Sequence, residues 1–102
     1  MSAAQAIDKV CFLTGAGTGL ARAMALGLAA QGAKVVAADI DEAGLAETVR
    51  LAQGLPGSVS AQPLDVRDQS QCEAAVAKTV ADFGGLDVLV NCAGLGPVYM
   101  RR

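Results

Sequence analysis

The sequence predicts an α/β fold, an open parallel sheet with helices on both of its faces, on three observations. Four short apolar runs lack polar alternation, as strands buried on both sides do. Between them lie stretches whose apolar residues recur at helical spacing, so strand and helix alternate along the chain. Finally, 21 Ala and 12 Gly fill 33 of the 102 positions, and small residues let helices sit close against a sheet.

Lys9-Val10-Cys11-Phe12-Leu13-Thr14 is the first strand, stopped by a glycine cluster. Thr18 to Gln31 reads as a helix with Leu20, Met24, Gly27 and Leu28 on one face, and Gly32 placed to cap its end. Lys34 to Asp39 is the second strand, and Asp41 to Gln53 a helix with Leu45, Val49 and Ala52 on its inner side. Gly54-Leu55-Pro56-Gly57 is a turn, and Val59 to Leu64 the third strand. Asp68-Gln69-Ser70-Gln71 has the pattern of a capping box, opening a helix with Cys72, Val76, Val80 and Phe83 on one face, and Gly84-Gly85 stops it. Asp87-Val88-Leu89-Val90-Asn91 is the fourth strand, followed by the loop Cys92-Ala93-Gly94-Leu95-Gly96-Pro97. Right-handed crossovers then give the spatial order 3-2-1-4, with a ligand crevice beside the first strand, where the order reverses.

Composition narrows what such a fold can do. With 8 Lys+Arg against 10 Asp+Glu, a net charge of −2 and no basic run before Arg101-Arg102, nothing marks a nucleic-acid or membrane-surface partner. Apolar runs stay far below the roughly 18 residues of a membrane span, and the start lacks the basic-then-apolar pattern of a signal peptide, so a cytoplasmic location is expected. Cys11, Cys72 and Cys92 have no metal-ligand spacing and there is no His, which leaves no metal site and no imidazole base.

Thr14-Gly15-Ala16-Gly17-Thr18-Gly19-Leu20-Ala21 joins a strand to a helix, the setting of a phosphate-binding loop. Glycines there let the backbone turn tightly and approach a pyrophosphate, whose charge meets unpaired N–H groups at the positive helix end. The alternative is a plain turn. Asp39 ends the second strand about 20 residues beyond Gly19, where a carboxylate accepts hydrogen bonds from the ribose hydroxyls of an adenosine and repels a 2′-phosphate, favouring NAD over NADP. Its alternative role is to cap the next helix, which Asp41 can already do.

These residues resemble the amino-terminal half of the short-chain dehydrogenase/reductase family. The family's TGxxxGxG loop matches Thr14, Gly15 and Gly19, with Ala21 where its last glycine is usual. Its acidic residue after the second strand falls on Asp39, and its adenine-contacting Asp-Val pair on Asp65-Val66, which read alone are equally a strand end with a turn-forming Asp. Its Asn-Asn-Ala-Gly motif appears as Asn91-Cys92-Ala93-Gly94, where the resemblance implies a strand-tying role for Asn91. Cys92 reads as a small buried residue and not a reactive thiol, and Cys11 and Cys72 as core.

The resemblance implies a Rossmann-type half domain over residues 1–102, a single partial dinucleotide-binding domain. Gly15, Gly17, Thr18, Gly19, Leu20, Asp39, Asp65, Val66, Asn91, Cys92, Ala93 and Gly94 would form the cofactor site. In the family a Tyr with a Lys four residues later moves the proton that accompanies hydride transfer, beside a Ser that holds the substrate oxygen. Tyr99 is followed only by Met100-Arg101-Arg102, so it is read as a loop residue; no catalytic residue is assigned and the chain alone is expected to be inactive, as a fragment or truncated frame of an oxidoreductase. Two alternatives stand beside this: a non-catalytic nucleotide-binding or partner module, and an S-adenosylmethionine-dependent methyltransferase fragment, whose first motif is also glycine-rich. Apolar flanks left by a half sheet predict self-association, or pairing with a missing carboxy-terminal half.

Overall fold

The structure, a computed structural model, describes residues 7–92 and the backbone of Met100–Arg101. In chain order the elements are β1 (Val10–Thr14), α1 (Gly19–Ala30), β2 (Lys34–Asp39), α2 (Glu42–Leu51), β3 (Ser58–Pro63), α3 (Gln69–Phe83), β4 (Val88–Asn91) and β5 (Met100–Arg101). The sheet runs β3-β2-β1-β4-β5. Its first four strands are parallel, in the expected order, with Thr14 abreast of Ala38 on one side and of Asn91 on the other. β5 is an addition to the expected architecture: it pairs antiparallel with β4, Val90 opposite Met100 and Leu89 opposite Arg101, so the outer edge of the fourth strand carries a partner.

Period-two alternation sorts the sheet's side chains between two cores. Cys11, Leu13, Val35 and Ala37 join Ala21, Ala25 and Ala29 of α1 and Leu45 of α2 on one face. Phe12, Val36 and Ala38 join Leu64, just after β3, and Ala75 of α3 on the other. Every residue of β1 is buried, which explains its unbroken apolar run.

The inner faces of two helices differ from expectation. In α1 the buried stripe is Ala21, Ala25 and Ala29, while Leu20 is 67% exposed and Met24 and Leu28 only flank the core. Alanine at i, i+4 and i+8 lets the helix lie closer to the sheet than leucine would, and the larger side chains are pushed to its margins. In α3 Ala75 and Thr79 are the buried pair and Val80 is 44% exposed. The Thr79 hydroxyl donates to the Ala75 carbonyl at 2.9 Å, which satisfies it inside the helix.

Helix ends follow the sequence signals closely. Gly32, at φ 93°, closes α1 with the Ala33 N–H on the Leu28 carbonyl and its own N–H on that of Ala29. Asp41 caps α2, accepting from the Gly44 N–H at 2.9 Å. Asp68 caps α3 through the Gln71 N–H at 3.2 Å, but only half a capping box forms. The Gln71 side-chain Oε1 accepts from the Asp65 N–H at 3.0 Å in place of the Asp68 N–H, while its Nε2 donates to Asp68 Oδ2 at 3.2 Å. Gly84, at φ 81°, stops α3. No helix among the described residues is long and apolar enough to cross a membrane.

Candidate functional site

Parallel pairing brings the carboxyl ends of β1, β2 and β4 together, and the loop after β1 lies where the strand order turns. Thr14 ties two of these ends: its hydroxyl donates to Asn91 Oδ1 at 2.7 Å and accepts from the Cys92 N–H at 3.1 Å. Asn91 thereby does join neighbouring strands, and Cys92, half-buried, contributes its backbone to the same tie.

Gly15 and Gly19 adopt φ of 70° and 61°, a left-handed conformation that side chains rarely take. Between them the Ala16 N–H bonds the Ala38 carbonyl at 3.1 Å, and Gly17 lies against β2's last residue. A Cβ on Gly17 would sit 2.8 Å from Asp39 Oδ2, so the loop approaches that carboxylate only as glycine. Thr18 begins α1 in extended conformation without a side-chain cap, and no acidic residue stands in the helix's first turn. The positive end of the helix dipole is therefore not neutralised by α1 itself, and Thr18, Gly19 and Leu20 face solvent there.

Asp39 does something that neither sequence reading anticipated. Its Oδ2 accepts from the Gly17 N–H at 2.9 Å and its Oδ1 from the Asp41 N–H at 3.0 Å, while Asp41 alone caps α2. The carboxylate thus braces the glycine loop against the end of β2. A carboxylate has about four lone-pair sites, so these two bonds leave acceptor capacity for further hydroxyl donors.

Asp65 and Val66 follow β3, whose end is joined to β2 by the Leu64 N–H on the Asp39 carbonyl at 3.1 Å. Asp65 turns its carboxylate onto Arg67, accepting the backbone N–H at 2.9 Å and the guanidinium at 2.8 Å, and these bonds bring its pKa down to about 2. These bonds close a local turn after β3, with Val66 exposed beside it. Cys11 is buried in the core, and burial, with Asp87 adding to it, pushes its thiol up to about 11. Ala93, Gly94 and Tyr99 lie outside the described residues.

Arg22, Thr48 and Gly44 belong to the site although no motif pointed to them. Arg22 Nη2 donates to the carbonyls of Gly17 and Gly44, the latter at 3.0 Å, and its Nε donates to Thr48 Oγ1 at 2.9 Å. A Cβ on Gly44 would lie 2.6 Å from the Gly17 carbonyl oxygen. The available signal was an isolated glycine inside a predicted helix, which costs stability unless something must come close to it.

These residues bring together glycines that admit a close neighbour, an uncapped helix end suited to negative charge, and a carboxylate with spare acceptors. Their chemistry is of the kind that could hold the phosphates and ribose of an adenine dinucleotide. The pattern of the short-chain dehydrogenase family matches residues 9–101. The 3-oxoacyl-(acyl-carrier-protein) reductase FabG of Thermotoga maritima is 45% identical over 87 residues, covering 85% of this chain and 35% of that protein. Galactitol 2-dehydrogenase of Agrobacterium fabrum is 40% identical over 88 residues, covering 86% of this chain and 33% of that protein. Among solved structures, carveol dehydrogenase from Mycobacterium avium in complex with NAD superposes with a TM-score of 0.81 at 34% identity, covering 88% of this chain and 37% of that one. The chain spans about a third of the length of the curated relatives it matches.

Proposed function

Since the chain belongs to the short-chain dehydrogenase family, we propose that it is the dinucleotide-holding portion of an oxidoreductase and binds NAD in preference to NADP. Bound there, the nicotinamide supplies hydride chemistry between an alcohol and a carbonyl. The chain's own residues bind and orient. Gly15, Gly17 and Gly19 admit the pyrophosphate to the positive end of α1, Asp39 accepts from the ribose hydroxyls, and Thr14 with Asn91 holds the strand ends in place.

The observation that carries this reading is Asp39, fixed at the loop with acceptor capacity to spare. Its negative charge disfavours a 2′-phosphate. The guanidinium next to the loop offers no compensation, because Arg22 is spent on the Gly17 and Gly44 carbonyls and on Thr48. Ile40 and Val66, 64% and 37% exposed after β2 and β3, supply apolar surface suited to an adenine ring. The described residues contain no His and no Tyr for the proton that accompanies hydride transfer, so we assign them binding without turnover. The three unpaired thiols, Cys11, Cys72 and Cys92, suit the reducing cytoplasm, where we place the chain. Membership of the family leaves no place for the methyltransferase alternative.

Fluorescence titration with NADH and NADPH tests the assignment. Asp39→Asn keeps an oxygen for the Gly17 N–H and removes the charge. It is expected to cut the preference for NADH over NADPH by about tenfold or more, the worth of a charged hydrogen bond. Wild-type affinity for NADPH equal to or above that for NADH would overturn the NAD assignment.

A further inference from the structure

We propose that Arg22, acting with Thr48, is the positioning residue of the glycine loop: it clamps the loop's carbonyls on the α2 side and so holds the Gly17 and Thr18 amides on the opposite side. The proposal rests on the dinucleotide reading above.

Arg22 lies in the first turn of α1 and reaches across to α2. Its guanidinium bonds the Gly17 carbonyl, the Gly44 carbonyl at 3.0 Å and the Thr48 hydroxyl at 2.9 Å. Thr48 is fully buried, and its Oγ1 lies 2.8 Å from the Ala16 carbonyl oxygen and 3.1 Å from that of Gly44. Two consecutive loop carbonyls, Ala16 and Gly17, are thus fixed by one network centred on the buried Thr48.

In a trans peptide the C=O and the next residue's N–H point in opposite directions, and there is no cis bond among the described residues. Fixing the Ala16 carbonyl therefore aims the Gly17 N–H away from α2, and that N–H does reach Asp39 Oδ2 at 2.9 Å. Fixing the Gly17 carbonyl aims the Thr18 N–H away from the clamp in the same manner. Gly44 supplies independent support. A Cβ there would stand 2.6 Å from both the Gly17 carbonyl oxygen and Asp41 Oδ2, so α2 reaches the loop only because that position has no side chain.

A guanidinium is a planar fork that holds two or three acceptors at fixed angles, whereas an ammonium is a point charge on a flexible stem. Arg22→Lys therefore separates a clamp from a mere positive charge near phosphate. With the full chain, Arg22→Lys and Thr48→Val are each expected to weaken NADH binding by about tenfold or more, and Thr48→Ser, which retains the hydroxyl, to restore it. Because the two residues act as one unit, the Arg22→Lys, Thr48→Val double variant should lose little more than either single one. In the absence of nucleotide, the Gly17 and Thr18 amide resonances should shift in Arg22→Lys. Wild-type NADH affinity in Arg22→Lys would show that charge alone is used and overturn the clamp. If wild type binds no NADH, the dinucleotide reading fails, while unmoved Gly17 and Thr18 amides in Arg22→Lys would separately overturn the clamp. Should Thr48→Val fail to fold, the Arg22→Lys affinity and amide shifts still decide.

Discussion

Asp39 ends β2 and Asp65 follows β3, and both carboxylates accept backbone amides, yet their other partners differ. Asp39 accepts two main-chain N–H groups and no cation, whereas Asp65 is matched by Arg67, which supplies both backbone and guanidinium donors. The consequence of that pairing is a carboxyl held near about 2 by the Arg67 bonds. A depressed folded-state pKa gives stability that is present above the ordinary carboxylate value, about 3.9, and lost as pH falls below it. The Asp65 contribution is therefore expected to be intact at neutral pH and to disappear between about pH 4 and pH 2. Arg67→Ala should raise the Asp65 titration midpoint by NMR, stopping short of the ordinary range because the residue 67 N–H still donates, with little change in stability at pH 7, since the pair is exposed. An unchanged Asp65 midpoint in that variant would contradict the stated cause.

Among the elements, what the sequence made legible was whatever changes period or carries a distinctive group. The strands appear because two covered faces demand unbroken apolar runs, and the helix ends because Gly32, Asp41, Asp68 and Gly84 have conformational or hydrogen-bonding roles peculiar to their residue types. The glycine loop and Asp39 were legible for the same reason. The buried stripe of α1 was not, because Ala21, Ala25 and Ala29 look unremarkable beside Leu20 and Met24 in a pattern weighted by size. Arg22 was hidden too, since an arginine on a helix reads as solvated until the carbonyls it bonds are seen. Close approach also determines which glycines are required. A Cβ on Gly57 would lie 2.1 Å from the Ala33 carbonyl oxygen and 2.8 Å from that of Ala29, backbone that cannot step aside. Gly57→Ala is expected to cost at least about 1–3 kcal/mol, read from the urea midpoint. Gly27, on the exposed side of α1 with nothing within 4 Å, should behave oppositely: Gly27→Ala should stabilise by about 0.4–1 kcal/mol. Equal effects at the two positions would falsify the packing account.

At the scale of the molecule the two faces of the sheet are unequally covered. Among the described residues α1 and α2 lie on one face and α3 alone on the other, where Phe83, Leu86 and Leu89 are only partly buried and Val80 is 44% exposed. We propose that this face drives self-association, so sedimentation velocity should show species larger than a monomer, and a Val80→Lys variant should shift the distribution toward monomer. A wild-type chain that stays monomeric across the concentration range would rule this out. The site tells more about global stability, because the glycine loop joins β1 to α1, Asp39 braces it against β2, and Arg22 with Thr48 binds it to α2. A ligand seated there contacts a network anchored in four elements, and those anchors do not persist in the unfolded chain. Binding only to the folded state adds RT ln(1 + [L]/Kd), about 2.7 kcal/mol at one hundred times Kd. For a domain of this length that corresponds to an increase in Tm on the order of 10–20 °C. NADH at that excess should raise the wild-type Tm by such an amount, and the rise should be smaller at the same concentration in Arg22→Lys, where the loop is unclamped. A Tm indifferent to NADH at that excess would mean that the folded chain does not bind the nucleotide, and would overturn the dinucleotide reading.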